Sequence, residues 1–229
     1  MNAGIDPEIF PKVIVLAGPS GAGKSEISAN LALKLSLDGD VALIDLDIIK
    51  PLFRLRNARS EIRRLRINFI SPGGEWDTSD LPIFPAEIHR FLNSGSRLII
   101  DVGGDGQGTK ILNQFTDFLP DATSLILFVA NPYRPFSRKV GDLKGQLQSL
   151  EFQTGIKVKG IVSNPHLKEQ TDEKIIISGH AIVEEFSREV CLPIFFLAVR
   201  EDLVPFLGNF DLPLLPLKVF IRPPWDYHP

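Results

Sequence analysis

A glycine-rich segment near the start of the chain has the residue types and spacing that bind phosphate. Residues 18–25 have the sequence GPSGAGKS, which fits the pattern G-x-x-x-x-G-K-[ST]. Its glycines let backbone N–H groups point inward around an anion, and a following helix adds its positive N-terminal end. In this pattern Lys24 bridges the β- and γ-phosphates, and the Ser25 hydroxyl ligates Mg²⁺. The segment predicts a nucleoside triphosphate site; the alternative is a simple glycine-rich turn.

Carboxylates at the ends of two apolar runs are candidates to act with magnesium. Asp101 follows one run and begins a D-x-x-G pattern that ends at Gly104, whose glycine can hinge toward a γ-phosphate. Asp45 and Asp47 follow an earlier run, where one of them can polarise an attacking water or a substrate hydroxyl. For Asp101 the alternative is an ordinary turn at the end of a strand.

The elements that must position these side chains alternate along the chain. Short β-branched runs alternate with longer amphipathic stretches, which is typical of a parallel sheet covered by helices. Strands are predicted at residues 13–17, 41–45, 97–101, 124–130, 158–163 and 193–199, and helices at 24–37, 84–93, 109–119, 136–150 and 172–189. We therefore expect an α/β P-loop NTPase fold with a mostly parallel sheet flanked by helices on both faces. The site should lie at the C-terminal ends of the strands.

Length and composition favour one domain. We expect residues 1–229 to form a single nucleotide-binding domain, with a proline-rich tail from about residue 205 that lies extended along its surface. With 25 Lys and Arg residues against 28 Asp and Glu residues, the net charge of −3 does not favour nucleic-acid binding. The first residues lack the features of a signal peptide, and no apolar run is long enough to span a bilayer. We expect a cytoplasmic protein with no membrane partner.

Several blocks of the sequence resemble the MinD/ParA/CobQ-like branch of P-loop ATPases. The resemblance rests on VALIDLD at residues 41–47 together with DVGG at residues 101–104. Blocks at residues 45–54, 80–82, 101–105 and 131–136 look like those of a largely uncharacterised bacterial ATP-binding group within that branch.

This resemblance implies roles for individual residues. Asp45 would be the catalytic or water-positioning carboxylate, Asp47 its neighbour, and Asp101 an outer-sphere Mg²⁺ ligand. Asn164 matches the position at which this branch binds adenine through an asparagine amide, and a turn at Asn-Pro is the alternative. MinD and ParA proteins carry a lysine at the position of Pro19 and donate it across a dimer to the partner's phosphates. Because this chain lacks that lysine, a homodimer is no more than a candidate assembly.

ATP is favoured over GTP as the nucleotide. Guanine-specific P-loop proteins usually carry an N-K-x-D tetrad, and residues 164–167 here have the sequence NPHL. The assigned cofactors are ATP and Mg²⁺. The candidate catalytic residues are Lys24, Asp45 and Asp47; the candidate nucleotide-binding residues are Gly18, Pro19, Ser20, Gly21, Ala22, Gly23, Lys24, Ser25, Glu26 and Asn164; the candidate metal ligands are Ser25, Asp45 and Asp101.

Three functions fit these residues. The first is a slow Mg²⁺-dependent ATPase that acts as a molecular switch or assembly factor. The second is a small-molecule kinase that uses Asp45 or Asp47 as the base, with arginines such as Arg54 and Arg56 holding an anionic acceptor. The third is an ATP-binding adaptor without turnover.

A cluster of arginines follows the second predicted strand and is a candidate surface for an unidentified protein partner. A solvated helix face is the alternative. We call this group the arginine cluster; its members are Arg54, Arg56, Arg59, Arg63, Arg64 and Arg66.

Overall fold

One parallel sheet runs through the part of the chain that the computed structural model describes, which comprises residues 4–46, 55–65, 67–71, 90–104, 119, 123–208 and 210–221. Its strands are β1 Val13–Ala17, β2 Val41–Asp45, β3 Asn68–Ile70, β4 Arg97–Asp101, β5 Ser124–Ala130, β6 Gly160–Ser163, β7 Ile194–Arg200 and β8 Leu214–Leu217. They lie in the order β3-β2-β4-β1-β5-β6-β7-β8, and every neighbouring pair is parallel.

Helices cover both faces of this sheet. They are α1 Lys24–Leu35, α2 Arg59–Arg64, α3 Val140–Thr154 and α4 Glu173–Val190, with 3-10 turns at Pro7–Ile9, Leu55–Ala58, Lys168–Gln170 and Glu201–Phe206. In β1, Ile14 and Leu16 pack in the same cluster as α1 and α2, whereas Val13 and Val15 pack with α3 and α4. This alternation follows from the two-residue period of a strand. The predicted α/β fold with helices on both faces is confirmed.

Four predicted strands keep their bounds, and the largest shift among the described helices has a local cause. Strands β1, β2, β4 and β5 begin and end where the sequence predicts. Helix α3 was predicted from residue 136 but begins at Val140, because Phe136 has a left-handed φ of 60° and the Asp142 carboxylate accepts the backbone N–H of Lys139 at the helix start. The predicted helices at 84–93 and 109–119 lie largely outside the described residues.

The end of the chain differs from its prediction. Residues 214–217 form β8 and enter the sheet beside β7, instead of lying along the surface as an extended tail. Leu214, Leu215 and Leu217 are buried there, and Pro216 is tolerated because β8 is at the edge of the described sheet. Residues 222–229 of the predicted tail lie outside the described part of the chain. None of the described helices has the length and apolar character needed to cross a membrane.

Candidate functional site

The glycine-rich segment at residues 18–25, here called the phosphate-binding loop, joins β1 to α1 at the carboxyl end of a central strand. Gly18, Gly21 and Gly23 have φ values of 142°, 77° and 95°, which residues with a side chain rarely adopt. A Cβ at Gly18 would lie 2.8 Å from the carbonyl oxygen of Val129, and a Cβ at Gly23 would collide with the amide nitrogen of Asn164. Both the backbone and its neighbours therefore require these glycines.

Lys24, the predicted phosphate-bridging residue, is buried and points back at its own loop. Its Nζ donates to the carbonyl oxygens of Gly18 and Pro19, both at 2.9 Å. Gly104, the glycine of the D-x-x-G pattern, lies directly over the loop: a Cβ there would lie 2.7 Å from Lys24 Nζ and would collide with the backbone nitrogen of Ser20. A phosphate bound by both Lys24 and the Ser20 amide therefore requires Gly104 to move.

Two side chains from other loops bind carbonyl groups of the phosphate-binding loop. Asn164 follows β6, is buried, and donates its amide N–H to the carbonyl oxygen of Ala22 at 2.6 Å. Arg134 follows β5 and donates from Nε to the carbonyl oxygen of Gly21 at 2.5 Å. The adenine-binding role of Asn164 stays a prediction, and the structure gives its amide a contact with the loop. The sequence patterns assign no role to Arg134.

The two predicted carboxylates meet at the ends of neighbouring strands. Asp45 of β2 is opposite Asp101 of β4 in the parallel register, and Asp101 is also opposite Leu16 of β1. Each carboxylate residue is 1% exposed. The structure thus brings Asp45 and Asp101 together at the carboxyl ends of their strands, where the phosphate-binding loop also starts. Asp47 lies outside the described residues.

The chemistry of these groups fits magnesium. Ser25 supplies a hydroxyl and Asp45 and Asp101 supply carboxylates, which are the hard oxygen donors that Mg²⁺ prefers. Within the described residues, no group of three His, Cys, Asp or Glu side chains is placed to hold a metal ion. An ion here would therefore depend on the Ser25 hydroxyl, water and the phosphates of a bound nucleotide as well as on the carboxylates.

Glu26, which the sequence assigned to the nucleotide, contacts the end of the chain. Its carboxylate accepts the backbone N–H groups of Phe220 and of Ile221, the latter at 3.1 Å. Burial raises the pKa of Glu26 to about 7, although these two hydrogen bonds act in the opposite direction. The structure gives Glu26 a role in holding the chain end against α1, and its contact with nucleotide stays a prediction.

Asn30 extends this attachment by one helical turn. Its amide donates to the carbonyl oxygen of Lys218 at 2.9 Å and accepts the Lys218 backbone N–H at 2.8 Å. Residues 218–221, here called the C-terminal strap, are thus fixed to the first two turns of α1. No local sequence pattern predicts this contact, because its partners are almost the whole chain apart.

A neutral histidine lies where the loops after β5 and β6 meet. The amide of Asn131 donates to the carbonyl oxygen of His166 at 3.0 Å, and Nδ1 of His166 accepts the Lys168 backbone N–H at 3.2 Å. Burial, together with the positive charges of Arg134 and Arg200, lowers the pKa of His166 to about 4. At neutral pH this imidazole carries no charge.

The arginine cluster is described only in part. Arg63 and Arg64 of α2 are exposed, and Arg54 and Arg66 lie outside the described residues. Together with Arg90, Arg63 lines a cavity of about 430 Å³ beside the edge strand β3. The described part of the cluster is therefore at the edge of the sheet, three strands away from β1.

The glycine-rich loop on a central parallel strand, with carboxylates ending two neighbouring strands on one side of it, defines a nucleotide-binding P-loop NTPase fold. The Zeta toxin family matches residues 3–65 of the chain. A tRNA dimethylallyltransferase from Fusobacterium nucleatum subsp. nucleatum is 29% identical over 119 residues, which are 50% of this chain and 38% of that protein. The chain thus spans well under half of this curated relative.

Solved structures of three proteins share the fold. FlhF complexed with GTP/Mg(2+) has a TM-score of 0.54 and 15% identity, covering 84% of this chain and 67% of FlhF. The cell division protein FtsY of Thermotoga maritima has a TM-score of 0.53 and 19% identity, covering 97% and 67%. The signal recognition particle receptor FtsY of Elizabethkingia anophelis has a TM-score of 0.56 and 18% identity, covering 88% and 61%. At these identities the likeness concerns the fold alone.

Proposed function

We propose that this protein binds ATP with Mg²⁺, hydrolyses it slowly, and acts as a molecular switch or assembly factor of the MinD/ParA/CobQ-like branch. The main support is the meeting of three features at one end of the sheet: the phosphate-binding loop, the strand-end carboxylates Asp45 and Asp101, and the glycine of the D-x-x-G pattern over Lys24. This is the arrangement that phosphoryl chemistry on a bound triphosphate needs.

In this proposal each residue has a defined task. The loop amides and Lys24 hold the β- and γ-phosphates, and Lys24 exchanges its bonds to Gly18 and Pro19 for bonds to phosphate. Ser25 and Asp101 hold Mg²⁺, which when bound neutralises charge on the phosphate oxygens. Asp45 or Asp47 orients the attacking water.

The displacement of Gly104 gives the switch its moving part. Gly104 lies over Ser20 and Lys24, the groups that would bind a γ-phosphate. Binding of a triphosphate would displace the D-x-x-G segment, and hydrolysis would let it return. A diphosphate would leave more of this contact in place, so the two nucleotides would favour different positions of the segment.

Direct binding measurements test the core of the proposal. We expect Lys24→Ala to abolish ATP binding in calorimetric titrations, while Lys34→Ala, on the same helix, binds as the wild type does. Asp45→Ala should keep ATP binding and lose Mg²⁺-dependent hydrolysis. Undiminished ATP affinity in Lys24→Ala would contradict the site assignment. Tight ATP binding without hydrolysis in the wild type would favour an adaptor instead.

We infer ATP rather than GTP from the loop after β6. The fourth position of the N-K-x-D tetrad, which carries the guanine-binding aspartate, corresponds to Leu167, and the preceding His166 is neutral at pH 7. One fold neighbour, FlhF, was solved with GTP/Mg(2+), so the two nucleotides must be compared directly. We expect ATP to bind at least about 10-fold more tightly than GTP, since losing one charge-assisted hydrogen bond has an effect of this size. Tighter GTP binding would overturn this choice.

A second candidate is phosphoryl transfer to a small molecule. Its support is that the carboxylates Asp45 and Asp101 end neighbouring strands, where a base for an acceptor hydroxyl would be. In this reaction Asp45 or Asp47 accepts the hydroxyl proton, and Arg54 and Arg56 hold an anionic acceptor. A screen of hydroxyl acceptors with γ-labelled ATP tests it: a labelled product supports the kinase, and label in inorganic phosphate alone supports the ATPase.

The surroundings of the site complete the proposal. We propose that residues 1–229 form one nucleotide-binding domain that works in the cytoplasm, without a membrane or nucleic-acid partner. The arginine cluster is proposed as the surface for a protein partner, and a homodimer is a candidate assembly. Size-exclusion chromatography with light scattering, with and without ATP, tests the dimer.

A further inference from the structure

The loop that carries Arg134 is held rigidly beside the phosphate-binding loop. Within this segment, residues 131–137, the Asn131 side chain accepts the Tyr133 N–H at 3.0 Å, and the Arg134 N–H donates to the Asn131 carbonyl at 3.3 Å. The Tyr133 hydroxyl donates to the Ile175 carbonyl of α4 at 2.7 Å. We call residues 131–137 the β5 loop. Its backbone at Arg134 is fixed by contacts on both sides.

The far end of the β5 loop is held in a strained conformation. Phe136 has φ 60° and is exposed, although a bulky side chain disfavours the left-handed region. Gln146 of α3 donates to the Phe136 carbonyl at 2.6 Å, and its amide also hydrogen-bonds with the Ser137 hydroxyl. Strain of this kind persists where surrounding contacts fix the backbone, and it occurs often at functional sites.

The guanidinium of Arg134 lies against the phosphate-binding loop at Gly21. Besides the hydrogen bond from Nε, a Cβ at Gly21 would lie 3.3 Å from Nε and 3.4 Å from Cζ, so the absence of a side chain there makes room for the guanidinium. Within the described ranges, Nε makes the one hydrogen bond of this side chain. The hydrogen bond from Nε therefore holds the guanidinium beside the loop without using its two terminal nitrogens.

Charge makes this placement chemically informative. Lys24 is the one cationic residue of the phosphate-binding loop itself. Arg134 adds a second positive charge next to the loop, and its effect reaches His166, whose pKa it helps to lower. A guanidinium presents five N–H groups in a fixed plane, so it can donate through Nε to a carbonyl and through its terminal nitrogens to a phosphate at the same time. An ammonium group lacks this fork.

We propose that Arg134 is a second phosphate-binding cation of the site: with Nε on the Gly21 carbonyl, it donates from its terminal nitrogens to the polyphosphate of the bound nucleoside triphosphate in the same chain. This inference rests on the proposed nucleotide binding. It assigns two tasks to one side chain, since Arg134 both fixes the shape of the loop and adds charge for the phosphates.

Binding of AMP, ADP and ATP to Arg134→Ala, Arg134→Gln and Arg134→Lys tests the proposal by calorimetry. Arg138→Ala is the matched control, because Arg138 is exposed just beyond the β5 loop and its loss changes the net charge equally. We expect Arg134→Ala to weaken ATP binding about 10- to 100-fold, the effect of losing a charge-assisted hydrogen bond, and to weaken AMP binding much less. Arg134→Gln, which keeps an N–H donor near the Gly21 carbonyl, should lose ATP affinity as well, and Arg134→Lys should regain part of it.

The salt dependence of ATP affinity provides a second measurement, which would not change if Arg134 had a purely structural role. ATP affinity of the wild type should fall more steeply with ionic strength than that of Arg134→Gln, because one ionic contact is missing in the variant. Equal losses for AMP, ADP and ATP in Arg134→Ala, with wild-type ATP binding in Arg134→Gln, would overturn the proposal and leave Arg134 as a brace of the loop. An equal loss in Arg138→Ala would also overturn it. Failure of the wild type to bind any nucleotide would instead refute the proposed function, on which the inference depends.

Discussion

The phosphate-binding loop and the helix that follows it are held by two different kinds of contact. On the loop, the donors of Arg134 and Asn164 bind the carbonyl groups of Gly21 and Ala22 at 2.5 and 2.6 Å. On the helix, Glu26 and Asn30 bind the backbone of the C-terminal strap. Donors on the carbonyls leave the loop amides to face an anion, whereas the strap contacts join two distant parts of the chain. The first set should therefore govern nucleotide binding, and the second should govern stability.

The largest effect is expected from Gly23→Ala. The new methyl group would meet the Asn164 amide at a backbone φ of 95°, so strain and the collision add together. We expect a loss of about 2–4 kcal/mol in the free energy of unfolding together with loss of ATP binding. Urea unfolding and calorimetry measure the two effects.

Gly155→Ala is the matched control for this change. Gly155 also has a positive φ, 69°, but a Cβ there meets no atom within 4 Å. We expect a cost of about 1 kcal/mol from the backbone conformation alone, with ATP binding retained. Equal destabilisation by the two substitutions would mean that the Asn164 contact does not matter at Gly23.

Asn164→Ala should have the next largest effect. It removes the donor to the Ala22 carbonyl and leaves a buried acceptor unpaired, which costs about 1–3 kcal/mol. We expect ATP affinity to fall by more than 10-fold, because the loop loses its fixed shape. If the residue also binds adenine, the loss should be larger for ATP than for inorganic triphosphate. An equal loss for both probes would restrict Asn164 to bracing the loop.

Asn30→Ala tests the other side of the comparison. It removes two hydrogen bonds to Lys218, so we expect the free energy of unfolding to fall by about 1–2 kcal/mol. ATP affinity at 25 °C should stay within about twofold of the wild type, because Asn30 lies on the second turn of α1, away from the loop carbonyls. A loss of ATP affinity comparable to that of Asn164→Ala would show that the strap also shapes the site.

The sequence predicts the central part of this arrangement but not the groups that hold it. Residues 18–25 and the strand ending at Asp101 follow local patterns, and their placement needs only the rule that parallel strands carry sites at their carboxyl ends. The contact of Arg134 with Gly21 depends on β5 lying beside β1, which no local pattern specifies. Residues 131–136 contribute to the family resemblance, but no local pattern there assigns Arg134 to the phosphate-binding loop.

The two edge strands of the described sheet, β3 and β8, are also not predicted from the sequence, each for a different reason. Strand β3 has only three residues, too few for an alternating pattern to be distinguished from a loop. Strand β8 contains Pro216, which favours a loop in any prediction from local propensity and is accommodated by its edge position. Glu26 contacts the strap because β8 brings residues 218–221 to α1, and this contact cannot be predicted from the sequence around Glu26.

The last expected effect is the pH dependence of stability, which Glu26 should control through the strap. Burial raises the pKa of Glu26 from 4.5 to about 7, so the folded protein binds this proton more tightly than the unfolded chain. Its contribution to stability is full below about pH 4.5 and is lost as the pH rises to about 7. Glu26→Gln cannot titrate, so its free energy of unfolding relative to the wild type should rise across this range, by up to about 3 kcal/mol.

Urea unfolding of both proteins at several pH values between 4.5 and 7.5 measures this difference. Other titrating groups, including His166, are common to the two proteins and cancel when the wild type is subtracted. Glu61→Gln is the control: Glu61 raises the pKa of Glu26 only slightly, as the last of its causes, so this variant should keep most of the wild-type slope. A pH-independent difference between Glu26→Gln and the wild type would mean that Glu26 stays ionised against the strap. Selective loss of ATP affinity in a stably folded Glu26→Gln would return this residue to the nucleotide site and remove the distinction between the two sides of the loop.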